Sequence, residues 1–214
     1  MDLLSILSVA MVASALAVFG LRNYKLAVIA YTVQASLLVT VFLTLSYSHD
    51  ASELRSWALI AIVTKVIFVP CVLFYLLKKI KIKSEVEPIA GFFVSPVIAL
   101  SFSLAIAMGI YPIYLEFSLI QEHIPLIVAI TVFMIGIFGF ILRKSAVKQI
   151  LAFCTFENGI SLTLALTAYN SPGIVEIGIL TDAIFAVVIM SILSLRFYTY
   201  FGSLDVSKAS SLKG

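Results

Sequence analysis

Seven runs of about twenty apolar residues follow one another along this chain, separated by short segments that carry nearly all of its charge. Each run is long enough to cross the hydrocarbon core of a bilayer as a helix. The runs are Leu3–Leu21, Leu26–Ser46, Trp57–Leu77, Gly91–Tyr111, Ile124–Leu142, Gln149–Tyr169 and Gly173–Leu195. Only 12% of the 214 residues are charged and 62% are hydrophobic, where a soluble domain carries roughly 25% charged residues. Lipid is the solvent that tolerates such a surface. Continuous apolar runs exclude a β-barrel, whose strands alternate over about ten residues. Helices satisfy every backbone group internally and remain the spanning form.

The first run resembles a secretory leader, with Ala13-Ser14-Ala15 as a possible cleavage site, but Asp2 precedes it where a basic region should stand. It reads as a retained helix. The basic residues then set the orientation. With the N-terminus outside and the C-terminus cytoplasmic, 12 of the 14 Lys and Arg lie on the cytoplasmic side: Arg22 and Lys25, Lys78 to Lys83, Arg143, Lys144 and Lys148, and Arg196, Lys208 and Lys213. Asp2, Asp50, Glu53, Glu116 and Glu122 lie on the other. That asymmetry is the positive-inside pattern.

An internal repeat is visible at an offset of 117. Ala61-Ile62-Val63-Thr64-Lys65-Val66-Ile67-Phe68 answers Gly178-Ile179-Leu180-Thr181-Asp182-Ala183-Ile184-Phe185, while Leu21-Arg22 answers Leu142-Arg143. The expected organisation is a three-helix unit over 1–83, a linker and fourth helix over 84–122, and a second three-helix unit with a cytoplasmic tail over 123–214. Two units of three helices joined by a fourth share one orientation, so the repeat is parallel.

Function has to come from polar residues that the membrane would otherwise exclude. Gln34, Lys65, Glu157 and Asp182 each fall near the middle of their span. A charge at that depth costs at least about 2.5–3.5 kcal/mol, so such groups face one another, water or a neighbouring subunit and mark ion or proton paths. Thr64 adds a hydroxyl beside Lys65, and Asn158 and Gly159 follow Glu157. Pro70 removes the backbone bond to the Val66 carbonyl, one residue from Lys65. The plainer alternative is a structural clamp between Lys65 and an acid.

Other candidates carry less. Cys71 and Cys154 lack the spacing of a metal or iron–sulfur site and read as small buried residues. His49 and His123 stand near the outer face, with no further histidine to make a facing haem pair. Trp57 and Tyr111 read as interfacial anchors, and Lys78 to Lys83 as a basic stretch that meets anionic lipid or a cytoplasmic partner. No metal ligand set or cofactor motif is expected in this chain.

Two stretches carry a family resemblance. Cys154-Thr155-Phe156-Glu157-Asn158-Gly159 and Val175-Glu176-Ile177-Gly178-Ile179-Leu180-Thr181-Asp182-Ala183-Ile184-Phe185-Ala186-Val187 resemble the hydrogenase-4 component E family, as do Thr64-Lys65 followed by Val69-Pro70 and the ending from Leu204-Asp205-Val206 to Leu212-Lys213-Gly214. That family comprises membrane subunits of group 4 nickel–iron hydrogenases of the formate-hydrogenlyase type, and its last three helices are similar to subunit K of respiratory complex I. The resemblance implies a proton or cation relay through Glu157, Asp182 and Lys65, supported by Gln34, Thr64, Asn158 and Thr181. Arg143 and Lys144 match the basic cytoplasmic loop of subunit K. Gln34 and Lys65 stand in the first unit where the second has acids, a departure from equal roles for the halves. The implied partners are antiporter-like and other complex I-like membrane subunits, and a peripheral hydrogenase arm holding the nickel–iron and iron–sulfur centres. The chain would then sit in the cell membrane and would not be catalytic alone. A scaffold subunit, a stand-alone ion transporter and a membrane electron carrier are the competing readings.

Overall fold

A computed structural model describes residues 3–85, 88–170 and 173–211; side chains at 173–177, 179, 180, 182 and 209–211 lie outside the described residues. It contains seven helical spans long and apolar enough to cross a membrane, and no β-strand among the described residues. The spans are α1 (Leu3–Gly20), α2 (Tyr24–Ser48), a third span in three pieces, α5 (Val94–Phe117), α6 (His123–Leu142), α7 (Ala146–Ala168) and α8 (Gly173–Phe201). The third span runs through α3 (Glu53–Ala61), a π-helical segment over Ile62–Phe68, and α4 (Val69–Lys79).

Ends differ from the sequence expectation where local chemistry extends or shortens a helix. Asn23 caps α2, its Oδ1 accepting from the N–H groups of Lys25 (2.9 Å) and Leu26 (3.4 Å), so the helix starts at Tyr24. Gly91, at φ 77°, holds the preceding turn in a left-handed conformation, and α5 starts only at Val94. That helix then continues through Pro112 to Phe117. The π segment has a local cause in Pro70. Its ring would press on the carbonyl of Val66 in a regular α-turn, and the wider turn instead passes the N–H of Val69 to the carbonyl of Thr64.

Two residues expected at the membrane interface or interior sit elsewhere. Trp57 is buried, edge-on to Phe42 at 6.1 Å between ring centroids, because the first turns of α3 pack against α2. Cys71 is exposed on the outer face of α4 rather than buried, whereas Cys154 is buried.

The tightest contact in the bundle is α6 on α7. A Cβ added at Gly159 would lie 2.4 Å from the backbone nitrogen of Phe133, and one at Gly136 would lie 2.5 Å from the backbone of Phe156. Glycine is the residue that permits backbones this close. The helix bearing Glu157 is therefore fixed against its neighbour.

At the basic end, two short latches tie loops to distant chain. After α1, Tyr24 donates its N–H to the carbonyl of Lys83 and Glu85 donates to Arg22; after α6, Ala146 donates to Leu204 and Val206 to Lys144. Asn23 thus pairs with Ser84 and Ser145 with Asp205, both antiparallel. In each case the turn between the first two helices of a group of three is bound to the segment following the third.

Candidate functional site

Lys65 lies on the π segment and is 2% exposed, while Glu157 on α7 is 4% exposed. Their Nζ and Oε1 are 3.2 Å apart, an ion-pair contact that lies off the alignment of a hydrogen bond. The ammonium donates instead to Ser161 Oγ at 2.7 Å and Asn158 Oδ1 at 3.3 Å. Behind them Gln34 on α2 is fully buried, its Oε1 accepting from Asn158 Nδ2 and Thr155 Oγ1, both at 3.4 Å. Gln34 Nε2 has no hydrogen-bond partner among the described residues. An amide donor left unpaired in a low-dielectric interior is costly.

Of the residues singled out from sequence, Lys65, Glu157, Gln34 and Asn158 meet in this one cluster. Thr64 does not join it, because its hydroxyl donates back to the carbonyl of Ile60 at 2.9 Å. Thr181 is exposed on α8. Asp182 lies on the same helix with its side chain outside the described residues; α8 runs on to Phe201, which puts Asp182 nearer the first end of its span than expected. Ser161 was missed, although it stands four residues after Glu157 and so shares that face of α7.

A second polar cluster lies at the basic end. Arg143 and Lys148 are each 2% exposed, not solvated members of a loop. Arg143 Nη1 donates to Glu85 Oε2 at 2.8 Å, and its guanidinium stands 4.3 Å from the centroid of the Phe19 ring. Burial holds the Glu85 carboxyl above its ordinary range, opposed by the neighbouring charges of Arg143 and Lys148, and burial lowers Arg143. Lys148 Nζ donates to the carbonyls of Val18 (2.6 Å) and Phe19 (3.2 Å), placing a cation on the negative end of α1. Tyr24 Oη and Ser145 Oγ share a hydrogen bond of 2.8 Å between the two latched loops. Lys144 is half-buried and takes part through its backbone carbonyl.

Comparison with known proteins finds relatives along nearly the whole chain. Hydrogenase-4 component E of Escherichia coli K12 is 33% identical over 204 residues, covering 95% of this chain and 94% of the relative. The protein of the same name from Shigella flexneri matches to the same extent.

The chain belongs to the hydrogenase-4 component E family.

Within that family assignment, residues 124–214 also match the model of NADH-ubiquinone/plastoquinone oxidoreductase chain 4L, a region that contains α7 with Glu157 and the whole of α8. An uncharacterized protein of Mycobacterium tuberculosis is 35% identical over 85 residues, 40% of this chain and 39% of its own. No solved structure matches. Among the described residues no group of three or more His, Cys, Asp or Glu could hold a metal ion.

Proposed function

We propose that this chain is a membrane-arm subunit of a group 4 nickel–iron hydrogenase, of the formate-hydrogenlyase type, and carries part of a proton or cation relay at the membrane midplane. Redox chemistry and its nickel–iron and iron–sulfur centres belong to partner subunits, and antiporter-like and other complex I-like subunits flank the chain in the cell membrane. The observation that carries the reading is the buried contact of Lys65 with Glu157, midway along two spans of a component E family member. An ammonium and a carboxylate at this depth are expensive and mark ion paths. Asp182, one helix away in the region that matches chain 4L, is the proposed next station. Asn158 holds the lysine and Gln34 holds Asn158, while Thr64, bonded within its own helix, and Thr181, exposed beside Asp182, have lesser supporting parts.

The proposed orientation has the N-terminus outside, since the basic end of the bundle collects the lysines and arginines. The proposed architecture is a parallel duplication, units 1–83 and 123–214 joined by 84–122, and the two matching latches support it.

The test is Glu157→Gln in the assembled complex, which keeps size and removes titration. Ion movement into sealed vesicles should fall at least about a hundredfold, the lower range for loss of a positioned acid–base group, with subunit content unchanged. Lys65→Met should impair it as well, and the double variant should be no worse than the poorer single one, because contacting residues are not additive. Normal coupling in Glu157→Gln would leave the pair as a structural clamp.

A further inference from the structure

Between the start of α2 and the end of α4, the basic end of the bundle opens into a cavity of ≈ 680 Å³. Lys25, Lys78, Lys81 and Lys83 line it, with Phe74, Leu77, Ile80 and Ile82 as its apolar wall. All four lysines are exposed, and among the described residues no carboxylate lies within ion-pair distance of any of them. Glu85, the nearest described acid in sequence, is turned inward to Arg143. Lys79 is turned aside, its ammonium 5.6 Å from the centroid of the Tyr75 ring. The cavity therefore gathers four lysines with no carboxylate partner among the described residues, beside the positive N-terminus of α2, where two spans leave the hydrocarbon.

We propose that this cavity holds the headgroup of an anionic phospholipid, its phosphate among Lys25, Lys78, Lys81 and Lys83 and its acyl chain along Phe74 and Leu77. The wall argues for a lipid over a free phosphate. Phe74, in the cavity wall, is 39% exposed on α4 and stands one turn further into the span than Lys78. An inorganic anion would leave that apolar wall in water, whereas a phospholipid covers it. Basic pockets between helices on the cytoplasmic side suit such headgroups. The inference is independent of the proton-relay reading.

The experiment is native mass spectrometry of the purified full chain in a neutral detergent, titrated separately with phosphatidylglycerol and phosphatidylcholine. One phosphatidylglycerol should bind at least about tenfold more tightly than phosphatidylcholine, and Lys78→Gln or Lys81→Gln should each weaken it roughly fivefold, the order expected for one cation at an anionic surface. The quadruple variant K25Q/K78Q/K81Q/K83Q should lose the preference, and Lys79→Gln should keep it. Should the quadruple variant fail to fold, the single variants and the salt response decide: the preference should vanish near 1 M salt, where the Debye length is about 3 Å. Equal binding of the two lipids overturns the proposal, as does indifference to the single substitutions. Displacement by inorganic phosphate at equal concentration would make this a solute site, and crosslinking of Lys81 to another subunit in the intact complex would make it a protein interface; either outcome overturns the lipid assignment.

Discussion

The first three spans and the last three are latched in the same way and furnished differently. In both, the turn after the first helix pairs with the segment after the third, through Asn23 with Ser84 and Ser145 with Asp205. The first group offers an amide and an ammonium to the middle of the bundle, Gln34 and Lys65; the last group offers the carboxylate of Glu157. Their packing differs too. α7 is held on α6 through glycines that admit no side chain, whereas a Cβ at Gly20, the end of α1, would sit 3.6 Å from Pro96, an ordinary contact. Groups latched alike thus carry opposite charges, and the Lys65–Glu157 pair forms between them rather than within either. The acid stands on a rigid post, and the base stands on a helix unwound by Pro70.

The largest effect should come from the latch region, where only the last group buries an arginine. Arg143→Ala leaves Glu85 buried without its partner, and removal of one member of such a pair costs about 3–5 kcal/mol. Thermal unfolding in detergent should show it, with Glu85→Gln in the same chain recovering most of the loss. If Arg143→Ala unfolds like the parent, the two latches are energetically alike and this contrast is wrong.

Next in size is the packing difference. Gly159→Ala forces a methyl against the backbone of Phe133 and should cost about 1–3 kcal/mol, as overpacking does. Gly20→Ala should stay within about 0.5 kcal/mol. Equal losses would remove the distinction between a rigid and an ordinary helix pair.

The smallest effect is a slope with pH. Glu85 holds its proton to higher pH in the folded chain than in the unfolded one, because burial disfavours the carboxylate. Its contribution is full below the ordinary carboxylate range and is lost as pH rises through the raised folded value. Unfolding of the parent measured against Glu85→Gln should therefore show the parent losing relative stability as pH rises. The opposite slope would mean that pairing with Arg143 outweighs burial.

The seven spans were legible because hydrocarbon length leaves little choice, and the depth of Lys65 and Glu157 followed from counting along their helices. What faced what was harder to read. Pro70 announced a missing backbone bond, but not that seven residues would adopt the wider turn. Trp57 has the composition of an interfacial anchor, yet Phe42 lies on a neighbouring helix and claims its ring. Arg143 and Glu85 are 58 residues apart, and no local pattern links a basic loop to an acid so distant. Ser161 was within reach of the helical period, since it follows Glu157 by one turn.

The π segment also bears on the proposed duplication. An extra residue within a helix turns everything beyond it by about 100° around the axis. Residues 62–68 lie in such a segment, whereas their counterparts at an offset of 117 lie in the regular helix α8. Positions that align one-to-one in sequence consequently fall out of azimuthal phase. If the two stretches are copies as proposed, then from Val69 onward the third span turns a different face from the one that alignment with α8 assigns to it, and a substitution transferred between them by alignment alone would land on the wrong side of the helix.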